Sequence, residues 1–326
     1  MQHLDLQVIE RALVWSRQGE TIWLCTVIDT FGSSPREPGS WMVVRQDSQH
    51  IGSLSGGCVE DDFLLRLSQG EFDCPITVVR YGDNDAAQRP NITLPCGGIL
   101  EVLIERLNPA PPIIEHLETL RDTLLGKYHL MRNVHLASGS AYFSDDTALG
   151  PKVVQDVQQG IVKIRVAPAK RLIIAGISAV SAPCAAFAVT LGFEVIVCDP
   201  DEAASKAFDV PGAHVKAILP STYIASGVCH SGTAVVALTH DPRIDDLAMI
   251  EAVRTPAFYI GVMGSTQTSA VRTERLIRSG GLKQEDINRL YMPIGLALGS
   301  KTPAEIALAV MADIVRVQYG IRIGDL

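Results

Sequence analysis

From Leu172 to Phe193 the chain carries no charged residue, a run long enough to span a bilayer. The same run contains Gly176, Ser178, Ser181, Pro183 and Gly192, opens on Leu-Ile-Ile and leads into Glu194-Val-Ile-Val-Cys-Asp199. Strand, turn, buried helix and second strand account for that order better than one membrane helix. The rhythm then repeats, with short apolar strands expected at Leu172–Ala175, Glu194–Cys198, Val215–Leu219, Ala234–Leu238 and Phe258–Val262, separated by helical stretches. Strands apolar on both faces and joined by helices belong to a doubly wound parallel sheet, so residues 171–326 are expected to form a Rossmann-like domain.

The preceding residues have a different grammar. A helical period over residues 5–18 precedes strands at Ile22–Ile28 and Trp41–Val44, a helix from Val59 to Leu67, and strands at Ile76–Tyr81 and Ile99–Leu107. Asp29–Gly39 and Gly82–Pro95 read as loops. A helix from about Ile113 to Leu125 and shorter strand-like pieces complete a mixed α/β domain over residues 1–166. Ala167-Pro168-Ala169-Lys170 reads as a linker.

In this first domain two motifs mirror each other around a cysteine: Ser55-Gly56-Gly57-Cys58-Val59-Glu60 and Pro95-Cys96-Gly97-Gly98-Ile99-Leu100-Glu101. A glycine pair permits positive φ and close backbone approach, and a soft sulfur beside backbone N–H groups suits a soft metal or an anionic, sulfur-containing cofactor. Cys58 and Cys96 are thus candidate metal ligands. The other cysteines are widely spaced, form no Cys-x-x-Cys pair and read mostly as buried thiols of a reducing compartment. The loop Gly32-Ser33-Ser34-Pro35-Arg36 offers N–H groups, hydroxyls and a guanidinium suited to phosphate.

In the second domain Gly176-Ile177-Ser178-Ala179-Val180-Ser181 occupies the place of a dinucleotide fingerprint, with Asp199 where a ribose-binding carboxylate would stand. Ser178 replaces the second glycine and crowds the pyrophosphate path, which argues against NAD(P). Thr239-His240-Asp241 and Gly261-Val262-Met263-Gly264-Ser265 end later strands, where open α/β sheets bind ligands. His240 is a candidate ligand or acid/base, and Gly264 and Ser265 are candidate cofactor contacts. Thr302-Pro303-Ala304-Glu305 reads as a helix start, which leaves Glu305 no chemistry to explain. The net charge of −8 argues against non-specific nucleic-acid binding, and the N-terminal pattern is no signal peptide, so a cytoplasmic protein is expected.

Taken together these segments resemble the xanthine dehydrogenase accessory protein family, XdhC/CoxI. The likeness rests on Phe31–Arg36, Gly39–Met42, Gly52–Glu60, Cys96–Gly98 with Glu101, Leu191–Phe193, Asp199-Pro200, Thr239–Asp241, Tyr259–Gly261 with Gly264-Ser265, Pro293–Leu296 and Thr302–Ile306. The resemblance implies an N-terminal XdhC/CoxI domain and a C-terminal Rossmann-like domain. It implies a cofactor chaperone more than an enzyme: a protein that binds molybdenum cofactor (molybdopterin), supports its sulfuration by a cysteine desulfurase and inserts it into a xanthine dehydrogenase-type apo-enzyme. An accessory factor with two ligand-binding halves also suits a homodimer. The chain departs from the family at Gly176-Ile-Ser178-Ala179, where Gly-x-Gly-His is usual, and at Asp201, where an arginine commonly follows Asp-Pro. Two alternatives stand beside this reading: an NAD(P)-dependent oxidoreductase built on the second domain, and a thiol-based sulfur-transfer or redox enzyme using Cys58 and Cys96.

Overall fold

A computed structural model describes residues 4–32, 36–82, 98–146 and 151–325. The described residues divide into two compact units, one from Leu4 to Ala167 and one from Pro168 onward.

The first unit runs α1 (Leu4–Arg17), β1 (Ile22–Phe31), β2 (Trp41–Arg45), β3 (His50–Gly52), α2 (Cys58–Ser68), β4 (Ile76–Tyr81), β5 (Ile99–Leu107), α3 (Pro111–Leu124), β6 (Leu130–His135), β7 (Ala141–Asp145), β8 (Val153–Asp156) and β9 (Ile161–Val166). Its five-stranded sheet has the order β3-β2-β1-β5-β4, and a four-stranded sheet has the order β7-β6-β9-β8. Alternation along β1 divides the side chains between two cores. Ile22 and Leu24 pack with α1, α3 and one face of the smaller sheet, while Trp23, Cys25 and Val27 pack under α2 with Phe63 and Phe72.

Strand β1 is longer than its apolar run suggests. Asp29, Thr30 and Phe31 extend it, opposite Glu101, Leu100 and Ile99, after a register shift between Val27 and Asp29. Polar residues are tolerated there because Asp29 and Phe31 lie at an exposed end of the sheet, whose ladder, not side-chain burial, holds them.

A buried ion pair ties the two sheets of this unit. Arg132 on β6 donates through both terminal nitrogens to Glu105 on β5, at 2.7 Å each, and through Nε to His116 Nε2 on α3 at 2.9 Å. The two charged side chains are 0% and 2% exposed. Burial, and then the Arg132 charge, push the His116 imidazole down to about 3, which keeps it a neutral acceptor.

The second unit runs β10 (Arg171–Ala175), α4 (Ser181–Thr190), β11 (Glu194–Cys198), α5 (Glu202–Ala207), β12 (Ala213–Lys216), α6 (Pro220–Tyr223) continuing into a π-turn to Val228, β13 (Thr233–Ala237), α7 (Pro242–Ala252), β14 (Tyr259–Val262), α8 (Thr266–Arg278), α9 (Gln284–Ile287), β15 (Leu290–Tyr291) and α10 (Pro303–Gln318). Every pairing is parallel, in the order β12-β11-β10-β13-β14-β15. This is the Rossmann arrangement, and the uncharged segment resolves into β10 and α4 around Gly176. No described helix is long and apolar enough to cross a membrane. Strand β12 stops at Lys216, short of the expected Leu219, because Pro220 opens α6.

Candidate functional site

Sheet register brings the glycine-rich loops of the first unit to one edge. Strand β1 ends at Phe31, β3 at Gly52 and β4 at Tyr81, while β2 and β5 begin at Trp41 and Ile99. Pairing of Phe31 with Ile99, Met42 with Gly52 and Tyr81 with Leu100 sets all these termini on the same side. The segments that follow Gly32, Gly52 and Gly82 therefore leave from one edge. Ser33, Ser34, Cys96 and Gly97 lie outside the described residues, and Arg36 is half-buried in the approach to β2. Gly98 is where the backbones meet: a side chain at Gly82, which has φ +86°, would sit 2.2 Å from the Gly98 carbonyl oxygen.

The loop before α2 is built around Glu60, a residue with no expected role in the sequence motifs. Glu60 Oε1 accepts from Ser53 Oγ (2.6 Å), Leu54 N (2.7 Å), Ser55 N (3.0 Å) and Gly56 N (3.1 Å). Its Oε2 accepts from Ser55 Oγ (2.7 Å) and Gly57 N (2.9 Å). The residue is 6% exposed. Burial pushes its carboxyl up, but the Ser53 and Ser55 hydroxyls and the backbone N–H groups outweigh that and hold it well below the usual carboxylate range.

This corrects one expectation. The N–H groups of Gly56 and Gly57 do not face a ligand; they close on Glu60, while the glycines supply positive φ, +90° and +149°. The loop is a rigid mount that delivers the chain to Cys58, the first residue of α2. The available signal was the carboxylate at the third helical position, the place from which a capping side chain reaches back.

Thiol chemistry narrows by burial. Cys25, Cys184, Cys198 and Cys229 are buried and free. Burial raises each pKa, to about 12 for Cys184 and Cys198, so these thiols stay protonated and unreactive. Cys74 is exposed but precedes β4, at the opposite edge from the glycine-rich loops. The cysteines on those loops are Cys58 and Cys96. Among the described residues no group of three or more histidine, cysteine or acidic side chains has metal-binding geometry.

In the second unit, Gly176, His240 and Gly264-Ser265 follow β10, β13 and β14 at the carboxyl edge of the sheet, with Asp199 after β11. Side chains close the turn after β10 onto several of its own N–H groups. Ile177 N donates to Asp199 Oδ2 (2.7 Å), Ser178 N to Ser181 Oγ (3.0 Å) and Val180 N to Ser178 Oγ (3.2 Å). Asp199 Oδ1 also accepts from Asp201 N at 2.8 Å, and the residue is 5% exposed. Asp199 therefore clamps the turn instead of standing open to a ribose. Gly176 is required by packing, since a Cβ there would lie 2.0 Å from Thr239 Cγ2.

His240 is exposed, between Thr239, which donates to Asp245 at 2.6 Å, and Asp241, which caps α7. Ser265 caps α8 by accepting from Thr268 N at 3.1 Å. Arg272, 1% exposed, ties this edge together by donating to Asp245, Asp246 and the Met263 carbonyl. Glu305 accepts from Thr302 N at 2.9 Å, as expected of a capping box. A cavity of about 740 Å³ lies between α4 and α10, but Phe187, Leu191, Leu308, Met311 and Val315 give it an apolar wall. Its α4 lining is the C-terminal part of that helix, Phe187 and Thr190, with Leu191.

A parallel Rossmann sheet whose first turn is closed by Asp199 and Ser181, preceded in the chain by a unit of two antiparallel sheets with glycine-rich segments at one edge, defines a two-domain class. The chain belongs to the XdhC and CoxI family: the XdhC Rossmann domain matches residues 172–314 and the XdhC and CoxI family model residues 15–81. It is 28% identical to a probable xanthine dehydrogenase subunit of Bacillus subtilis, over 90% of this chain and 92% of that one. It is 26% identical to the molybdenum cofactor insertion chaperone PaoD of Escherichia coli, over 92% and 84% respectively. A crystal structure described as a xanthine dehydrogenase from Bacillus halodurans shares the fold with a TM-score of 0.70, at 22% identity, covering 100% of this chain and 98% of that one.

Proposed function

We propose that this protein carries molybdenum cofactor to a molybdoenzyme of the xanthine dehydrogenase type, holding it at the loop-bearing edge of the N-terminal sheet. Its relatives support the cargo: one is named a molybdenum cofactor insertion chaperone, another a probable xanthine dehydrogenase subunit. The observation that carries the reading for this chain is the common sheet edge from which the segments bearing Cys58, Arg36 and Gly98 depart. A molybdopterin presents a dithiolene-bound soft metal and a phosphate. Thiolates suit the first, and a guanidinium with serine hydroxyls suits the second. Glu60 holds the Cys58 loop in shape before the cargo arrives, which lowers the ordering cost of binding. A cysteine desulfurase supplies sulfur to the held cofactor, and the apo-enzyme then receives it.

Serine at both loop cysteines tests this. The double variant Cys58→Ser, Cys96→Ser is expected to fold as the wild type does, yet to retain at least about tenfold less molybdenum per chain and to activate apo-enzyme correspondingly less. Equal retention and equal activation by the double variant would remove the thiols from the site.

A further inference from the structure

The face of the five-stranded sheet that carries α1 and α3 ends, at the same loop-bearing edge, in a hollow of about 80 Å³. It is lined by Asp29, Thr30, Phe31, Arg80, Ile99 and Glu101. Glu101 stands at its centre, paired with Asp29 of β1 on one side and Arg80 of β4 on the other. Gln155 Nε2 donates to Glu101 Oε2 at 2.8 Å, which orients the carboxylate and leaves Oε1, with the second lone pair of Oε2, for donors entering the hollow. Phe31, opposite Ile99, is 75% exposed, an unusual cost for a large aromatic at the end of a strand.

An exposed aromatic face, a fixed carboxylate and a guanidinium around a narrow hollow match the edge of one flat heterocycle. A 2-amino-4-oxopyrimidine ring, found in pterins and in guanine, presents its exocyclic amine and its N3–H side by side. A carboxylate accepts both in parallel, the geometry that makes paired charge-assisted hydrogen bonds strong and selective. Arg80 then supplies a donor for the 4-oxo oxygen, and Phe31 stacks on the ring. Cytosine offers an acceptor at N3 where this arrangement needs a donor, and adenine has no N–H there.

We propose that this hollow is the subsite that reads the pterin ring, with Glu101 as the specificity-determining acceptor and Phe31 as the stacking platform. The proposal rests on the cofactor-carrying reading above and places the ring beside β5, at the edge shared with the thiol-bearing loops.

The test uses the full-length protein and pterin itself, titrated by fluorescence quenching, with guanosine and cytidine as competitors. Glu101→Gln is expected to weaken pterin binding about 10- to 100-fold, because an amide cannot accept from both ring donors. Phe31→Ala is expected to weaken it about tenfold through lost stacking. Both variants should keep the wild-type tryptophan emission. Pterin bound equally by Glu101→Gln, Phe31→Ala and the wild type overturns the subsite, and if the wild type still captures molybdenum cofactor the broader reading stands. Guanosine binding in preference to pterin assigns the hollow to a guanine nucleotide and overturns the pterin assignment. A wild type that captures neither pterin nor cofactor overturns both.

Discussion

Replacing Glu60 by glutamine is expected to lower the stability of the N-terminal unit by about 3 kcal/mol, a drop of roughly 6–12 °C in Tm. The carboxylate accepts from Ser53 Oγ, Leu54 N, Ser55 N, Gly56 N, Ser55 Oγ and Gly57 N. An amide offers one oxygen, so its NH2 group is forced against the Ser55 hydroxyl and the Gly57 N–H, or against the larger set on the other side. Positive φ at Gly56 and Gly57 gives the loop little reason to hold its shape without that anchor. Cofactor retention should fall with it, since Cys58 follows directly.

The effect has a pH signature. The folded-state pKa of Glu60 lies below its ordinary value of 4.5, so under acid the unfolded chain takes up a proton here before the folded chain does. The stability that Glu60 contributes is complete above about pH 4.5 and is lost as pH falls through the folded pKa. The difference between wild type and Glu60→Gln should therefore be widest at neutral pH and narrow below about pH 4.5. All three tryptophans, Trp15, Trp23 and Trp41, belong to this unit, so tryptophan fluorescence follows its unfolding separately from that of the Rossmann unit. A variant with an unchanged midpoint at pH 7 would contradict the role given to Glu60.

The second large effect concerns the ion pair between the two sheets of the same unit. Glu105→Leu leaves the Arg132 guanidinium buried beside neutral His116 without its counter-charge, which is expected to cost about 3–5 kcal/mol. Charge burial, not lost contact, is the cause. The double variant Glu105→Leu, Arg132→Met removes both charges and should recover most of the loss. Tryptophan-monitored urea unfolding of the single and double variants decides between these accounts. Equal destabilisation in both would mean that packing shape, not charge, sets the penalty.

The second unit was legible from sequence because its signal is local. Two-sided apolar strands, Gly176 in the first turn and the Thr302–Glu305 capping box each rest on neighbouring residues, and the structure shows them, except that β12 runs from Ala213 to Lys216 and alternates between half-buried and exposed residues. The first unit was harder. The sequence marks the cores of β1, β2, β4 and β5 but not the short β3, and β1 runs on through Asp29 to Phe31, where the residues are polar or exposed and only pairing with β5 reveals the strand. The same non-local pairing sets Asp29, Glu101 and Arg80 in one row, although they are distant in the chain. Glu60 was visible beside Cys58, but its role depends on how the loop folds back over it. At the Rossmann turn the replaced glycine is evident in the sequence, whereas the closure by Asp199 and Ser181 depends on how the strand ends meet in the fold.

The central claim is that the N-terminal sheet edge carries molybdenum cofactor. The direct measurement is molybdenum and pterin content of full-length protein purified without oxygen from molybdenum-replete cells, with free cofactor offered to any unloaded protein. The account predicts molybdenum and pterin in equal molar amounts on the wild type. Protein that holds neither, and takes up neither when cofactor is offered, would contradict it.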